Sequence, residues 1–341
     1  MAGLPEFNPA RSLWAELQTG MTRQRERLLS IPSELAIRGM HMPLATRRFA
    51  VEEARGNAAA PTGISTSLGQ FDQAIVERLI QNGVCVTSLD ALAFPDTGGM
   101  FEDAMSVAGA LIERGRFAPT TGKHTLTATA DDLLARMRVF RWALNDRLLD
   151  IVEAYLGAPA AYDGALVYLS RGDGREGGVR KWHRDREDDR MLKVAIYLND
   201  VDEDGGPFQV LTPELQKLVD GRASWKYASM RDEQMSITIR DGDWATGVRT
   251  LTGARGTVFL VDTARCHHRG KPPTKRDRLA VFHSFFRRVP SHPFCCERST
   301  LSREQMASFA DSLPRRGRDC VLWREKLPWR MRLVPRNRMT I

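Results

Sequence analysis

From Tyr162 onward the chain is a succession of short apolar runs: Ala165–Leu169, Lys193–Leu198, Phe208–Val210, Ser236–Arg240, Thr257–Val261 and Leu279–Phe286. Turn residues separate them, as in Asp204-Gly205-Gly206-Pro207 and Gly270-Lys271-Pro272-Pro273. Runs of this length, rich in Val, Ile and Phe and bounded by Gly, Pro and Asp, read as strands. Strand after strand predicts a mainly β fold with flanking helices, a double-stranded β-helix of the jelly-roll, cupin-like kind. Such a fold has a mouth at one end that can take a metal and substrates.

The half before Tyr162 reads as helical. Ser67-Leu68-Gly69-Gln70 fits a capping box, Phe71, Ile75, Leu79 and Ile80 follow at helical spacing, and Asn82-Gly83 is a stop. Val84-Cys85-Val86 is a short strand. Thr129-Ala130-Asp131-Asp132 caps a second helix carrying Leu133, Leu134, Met137, Phe140, Leu144 and Leu148, which ends at Leu156-Gly157. Residues 1–63 carry few periodic signals, and the stretch 54–63 reads as a loop or linker. The expected organisation is an N-terminal arm over 1–63, a core over 64–290 and a basic C-terminal extension over 291–341.

A chain of 341 residues that is 42% hydrophobic can bury a sizeable core as one elaborated domain. It has no apolar run long enough for a transmembrane helix and no secretory signal pattern. The five cysteines are odd in number and match no zinc spacing, so they read as reduced thiols of a cytoplasmic protein. The net charge of +8 is uneven: Arg315 to Arg338 holds nine Lys/Arg against Asp319 and Glu325, or +7. Such a run is either solvated surface, packing Trp323 and Trp329 on the core, or the footprint of an anionic partner.

Two polar clusters stand out among the strands: Trp182-His183-Arg184-Asp185, then Cys266-His267-His268-Arg269-Gly270 about 80 residues later. Residues two apart on an extended chain share a side, so His183 and Asp185 can offer an imidazole and a carboxylate to one metal while Arg184 turns away. With one distant histidine they complete the set that holds non-haem Fe(II) on one face and leaves positions open. Regular alternation lets only one of His267 and His268 face that metal. Arg278 opens the last apolar run. If the turn before it joins neighbouring strands, its guanidinium returns near the metal, where it can grip a carboxylate. Lys193, at the start of its own run, is a second carboxylate-binding candidate or simply a strand-edge charge. Arg171 to Gly178 forms a glycine-rich loop just before His183, either a cover for the site or plain surface.

The ordered set resembles the phytanoyl-CoA dioxygenase superfamily of Fe(II)/2-oxoglutarate oxygenases over roughly residues 65–290. It comprises His183-Arg184-Asp185, the stretch Leu192 to Asp202, Gly205-Gly206-Pro207-Phe208, Gly253 to Val258 and Asp262 to Gly270, with Arg278 beyond. Where the family often has Val-Pro-Gly-Ser-His, this chain has Val210-Leu211-Thr212-Pro213-Glu214. The resemblance implies metal ligation by His183, Asp185 and His268. A spacing of eleven to the arginine would instead select His267. It further implies Fe(II), O2 and 2-oxoglutarate as cofactors, the far carboxylate of 2-oxoglutarate resting on Arg278. Related halogenases carry Ala or Gly in place of the acid, so Asp185 implies hydroxylation of a small-molecule substrate, with an anionic one in keeping with the basic tail. Demethylation of nucleic acid or protein is an alternative. Base demethylases usually carry a second Arg where this chain has Ser284, which counts against it. A non-catalytic jelly-roll binding protein is the remaining alternative.

Overall fold

The computed structural model describes residues 24–25, 28–40, 68–117, 124–223, 226–239, 244 and 246–333. The linker expected over 54–63 lies outside them. Two antiparallel sheets carry the architecture. The larger runs in the order β1 (Val84–Ser88), β7 (Thr257–Asp262), β4 (Met191–Tyr197), β9 (Arg278–Arg287), β3 (Ala160–Ser170) and β2 (Thr125–Thr127). The smaller runs β6 (Val248–Leu251), β5 (Phe208–Leu211), β8 (His268–Gly270). Together they form the two-layered sandwich of a double-stranded β-helix with helices on its flank.

Strand alternation decides which side chains face which layer. Leu192, Val194 and Ile196 of β4, with Leu279, Val281 and Phe285 of β9, join a core shared with the helices. The intervening Ala195, Tyr197, Ala280 and Phe282 pack between the sheets with Phe208, Val210, Leu251, Phe259 and Val261. By the same period Lys193, Arg278 and Ser284 belong to the inner face, and Lys193 pairs in register with Ser284.

The helices cover the outer face of the larger sheet. α1 (Gln70–Asn82) ends at Gly83 in the left-handed region (φ 71), as Asn82-Gly83 predicts. Its N-cap is Gly69, without a side-chain bond, and Ser67 of the expected capping box lies outside the described residues. α2 (Thr97–Phe117) was not expected. The helix expected from Thr129 is three pieces: Ala130–Leu134, Arg138–Trp142 and α3 (Asp146–Leu156). Thr129 and Asp132 do form a capping box. The second of the two breaks falls at Asn145, which caps α3 by accepting from the Leu148 amide at 2.9 Å and so takes a non-helical conformation.

Two helices lie between β5 and β6: α4 (Pro213–Arg222) and α5 (Asp232–Ile239). Of the strand expected over Ser236–Arg240, residues 236–239 fall in α5, and Arg240 lies outside the described residues. A short apolar run does not distinguish strand from helix, and Asp232-Glu233 at its front favour a helix N-terminus. Strands β8 and β9 belong to different sheets, so the turn before Arg278 crosses between layers instead of joining neighbours. At the C-terminus, α6 (Arg303–Ala310) and α7 (Arg315–Val321) place Phe309, Ala310, Cys320 and Val321 in the helix-side core. No helix among the described residues is long and apolar enough to cross a membrane.

Candidate metal centre

Register settles the direction of the adjacent histidines. Phe208 pairs with Gly270 and Val210 with His268, and both partners pack between the sheets. His268 and Gly270 therefore face inward, and His267 and Arg269 outward. His183 is held by a single antiparallel bridge to His268, not by the continuous strand its spacing suggested. Each backbone N–H donates to the other's carbonyl at 3.0 Å. The Asp185 amide then donates to Thr263 O at 2.9 Å. The result brings one ligand atom each from His183, Asp185 and His268 within 4.8 Å of one another, with all three residues buried.

Both imidazoles are oriented from behind. His183 Nδ1 lies 2.7 Å from Lys181 O and His268 Nδ1 lies 3.0 Å from Cys266 O. A carbonyl only accepts, so each Nδ1 carries the proton and each Nε2 keeps a free lone pair. Backbone partners of this kind fix the tautomer of metal-binding histidines. Burial lowers the pKa of both rings, keeping them neutral. Burial opposes ionisation of Asp185, but the Lys193 ammonium, 2.6 Å from its Oδ2, holds its carboxyl below the usual range. Two neutral nitrogen donors and one carboxylate on a buried face make a donor set suited to a divalent transition metal.

His267 turns the other way. Its backbone N–H donates to Gln216 Oε1 at 2.6 Å, and its Nδ1 stands 3.0 Å from Gln216 Nε2. Burial, then Arg184 and His183, push its pKa down to about 3. Arg184 also faces outward, to Asp220 at 2.5 Å. His283 lies on the helix side against Tyr162 and Trp142, and Gln209 accepts from Arg269 on the outer face. Neither reaches the triad.

Arg278 is buried on the inner face, and its guanidinium donates to Gly206 O. A Cβ on Gly270 would crowd the Arg278 terminal nitrogens, so any side chain at position 270 would push the guanidinium from its present place. Among the described residues no carboxylate pairs with Arg278, and burial lowers its pKa.

Two neighbours escaped the sequence reading. Glu187 is buried, and Arg298 Nε lies 3.2 Å from its Oε1. Glu187 continues the alternation of 183 and 185 and could have been found from that. Arg298 carries no local signal, being delivered from the C-terminal extension by the fold. The glycine-rich loop before His183 is tied down by fully buried Arg180, which donates to Asp173, Arg175 O, His124 O, Arg171 O and Ser170.

No protein-family description matches the chain, and no curated protein matches it. Solved structures resemble it at low identity. EctD from S. alaskensis in its apoform is 17% identical over 71% of this chain and 87% of that one, with a TM-score of 0.45. HygX from Streptomyces hygroscopicus with nickel and 2-oxoglutarate bound is 18% identical over 65% and 88%, with a TM-score of 0.41. The epimerase SnoN in complex with Fe3+, alpha ketoglutarate and nogalamycin RO is 18% identical over 72% and 90%, with a TM-score of 0.42. At this level of likeness nothing about the chemistry of this chain follows from them.

Proposed function

We propose that this chain is an Fe(II)/2-oxoglutarate-dependent oxygenase of the phytanoyl-CoA dioxygenase type that oxidises a C–H bond of a small molecule. The observation that carries the reading is the buried triad of His183, Asp185 and His268, with both Nε2 lone pairs and an ionised carboxylate converging within 4.8 Å. These residues would hold Fe(II), and three protein ligands leave positions for 2-oxoglutarate and O2. Bound there, iron with 2-oxoglutarate supplies the oxidising power, and succinate and CO2 are released.

The chain's own residues bind and orient. Among the described residues Arg278 is a buried cation without a carboxylate partner on the inner face, an arrangement that costs free energy until an anion arrives. It takes the far carboxylate of 2-oxoglutarate. Lys193 holds the Asp185 carboxylate ionised and fixed, and stays within reach of an acid brought to the same face. Tyr168, Phe282 and Ser284 share that face by strand period and are candidate substrate contacts.

A small-molecule substrate is favoured over nucleic acid. Arg316 pairs with Asp150 and Glu153, Arg318 with Asp311 and Arg324 with Glu297, so these basic residues of the C-terminal extension are spent within the chain. The test is anaerobic addition of Fe(II) and 2-oxoglutarate, followed by visible absorbance, then succinate release across a substrate library. A charge-transfer band, with succinate and a product one oxygen heavier, is the expected result. A product of unchanged mass would redirect the outcome to epimerisation, and absence of any band would refute the reading.

A further inference from the structure

Directly before His183 stands Trp182, and directly after His268 stands Arg269. Both turn to the outer side of the site, and both meet the same atom. Asp232 Oδ1 accepts from Trp182 Nε1 at 2.8 Å and lies 2.7 Å from Arg269 NH1. The Arg269 guanidinium also lies over the fully buried Trp182 ring, 4.7 Å from a ring centroid, and donates from Nε to Gln209 Oε1 at 2.8 Å. Asp232 is the first residue of α5, in the insertion between β5 and β6. Its segment is tied in by backbone as well: Trp182 and Met230 exchange both N–H···O bonds at 2.8 Å.

We infer that Asp232 is a positioning residue for the metal centre, which rests on the metal reading above. One carboxylate oxygen clamps the two residues that adjoin the two histidines. The peptide is planar and consecutive Cα atoms are 3.8 Å apart, so a shift of Trp182 or Arg269 moves the neighbouring imidazole. The His183–His268 bridge alone is one residue pair long. The clamp extends it outward into a ladder of Met230, Trp182–His183 and His268–Arg269 closed by Asp232. Glu176, from the loop before His183, adds a third strap. Its Oε1 accepts from the Asp232 amide at 3.4 Å and lies 3.8 Å from Arg269. The insertion is thus a brace for the metal site. Coupling between two sites is reciprocal, so a metal that gains affinity from a docked α5 must also steady α5.

The test uses the full chain without metal and Co(II) as probe. Its affinity is read from visible absorbance, and amide hydrogen exchange over residues 230–239 is measured with and without Co(II). Asp232→Ala is expected to weaken Co(II) binding by about tenfold or more, the range seen when groups behind metal ligands are removed, and to change the absorption spectrum. Co(II) is expected to slow exchange in α5 of the unmodified protein and to lose that effect in the variant. Asp232→Asn, which keeps an acceptor for Trp182 but not the charge for Arg269, should fall between. If Asp232→Ala does not fold, Asp232→Asn carries the test and should still weaken Co(II) binding measurably. A folded Asp232→Ala protein with unaltered Co(II) affinity and spectrum, whatever its melting temperature, would overturn the inference. If instead the unmodified protein and His268→Ala take Co(II) equally poorly, the metal reading itself fails.

Discussion

At the scale of single residues, two neighbours of like chemistry face opposite layers, and this makes their substitutions unequal. His268→Ala should abolish the absorption band of the anaerobic Fe(II)–2-oxoglutarate complex, because two protein ligands hold the metal poorly. His267→Ala should keep the band, since His267 faces Gln216 on the other side of β8. Equal loss in both would mean that β8 does not alternate as its register indicates. Position 270 offers a second contrast. Arg278→Ala removes a desolvated charge pair and should weaken 2-oxoglutarate by on the order of 2–5 kcal/mol. Gly270→Ala retains Arg278 but drives a methyl group into its terminal nitrogen, 2.3 Å away. It should therefore raise the KM for 2-oxoglutarate while leaving Fe(II) affinity near normal. An unchanged KM in Gly270→Ala would place the co-substrate elsewhere than on Arg278.

At the scale of elements, what was legible in the sequence was what local chemistry decides. The runs that became β4, β5, β7 and β9 are strongly apolar and bounded by turn residues, and they appear within a residue or two of their expected ends. Gly83 and Thr129 are local signals that act locally. The capping box at Thr129 should be worth about 1 kcal/mol, lost in Thr129→Ala. Its partner Asp132 is also gripped by Arg114, which lowers its pKa to about 2, below the ordinary aspartate value near 3.9. A folded-state pKa below the unfolded one contributes stability that is complete above about pH 4 and disappears as pH falls toward 2. Asp132→Asn should remove that part of the acid limb in a stability–pH titration. An identical acid limb in the variant would show the pair to be idle. The elements that misled were those set by distant partners. Residues 236–239 are helical because α5 docks Met235 and Ile239 on Leu215, Val219 and Trp182. His183 is extended because His268 and Met230 bridge it and its neighbour. The order of strands in each sheet, and hence the crossing before Arg278, has no signal in any single run.

At the scale of the whole molecule, the C-terminal extension behaves as part of the core. Asp188, three residues after Asp185 and fully buried, accepts from Arg287 and from both the amide and hydroxyl of Ser291. Asp163 accepts from the amides of Glu297 and Arg298 at 2.6 and 3.0 Å, and Arg298 then reaches Glu187 beside the candidate metal centre. Further on, the two tryptophans read alike in the sequence as packing residues. Trp323 does pack, buried edge-on against Phe286 at 5.0 Å, among Met191, Phe286, Val289 and Leu327. Trp329 is 66% exposed. Trp323→Ala opens a cavity at the end of β9 and should cost on the order of 3–5 kcal/mol, read as a lower denaturant midpoint at unchanged slope. Trp329→Ala should stay within about 0.5 kcal/mol of the unmodified protein, as surface substitutions do. A large gap between the two variants is what a C-terminal segment folded into the sandwich requires. Equal, small costs would mean that the segment is only loosely laid against it, and that Arg298 reaches Glu187 without support from the residues that follow.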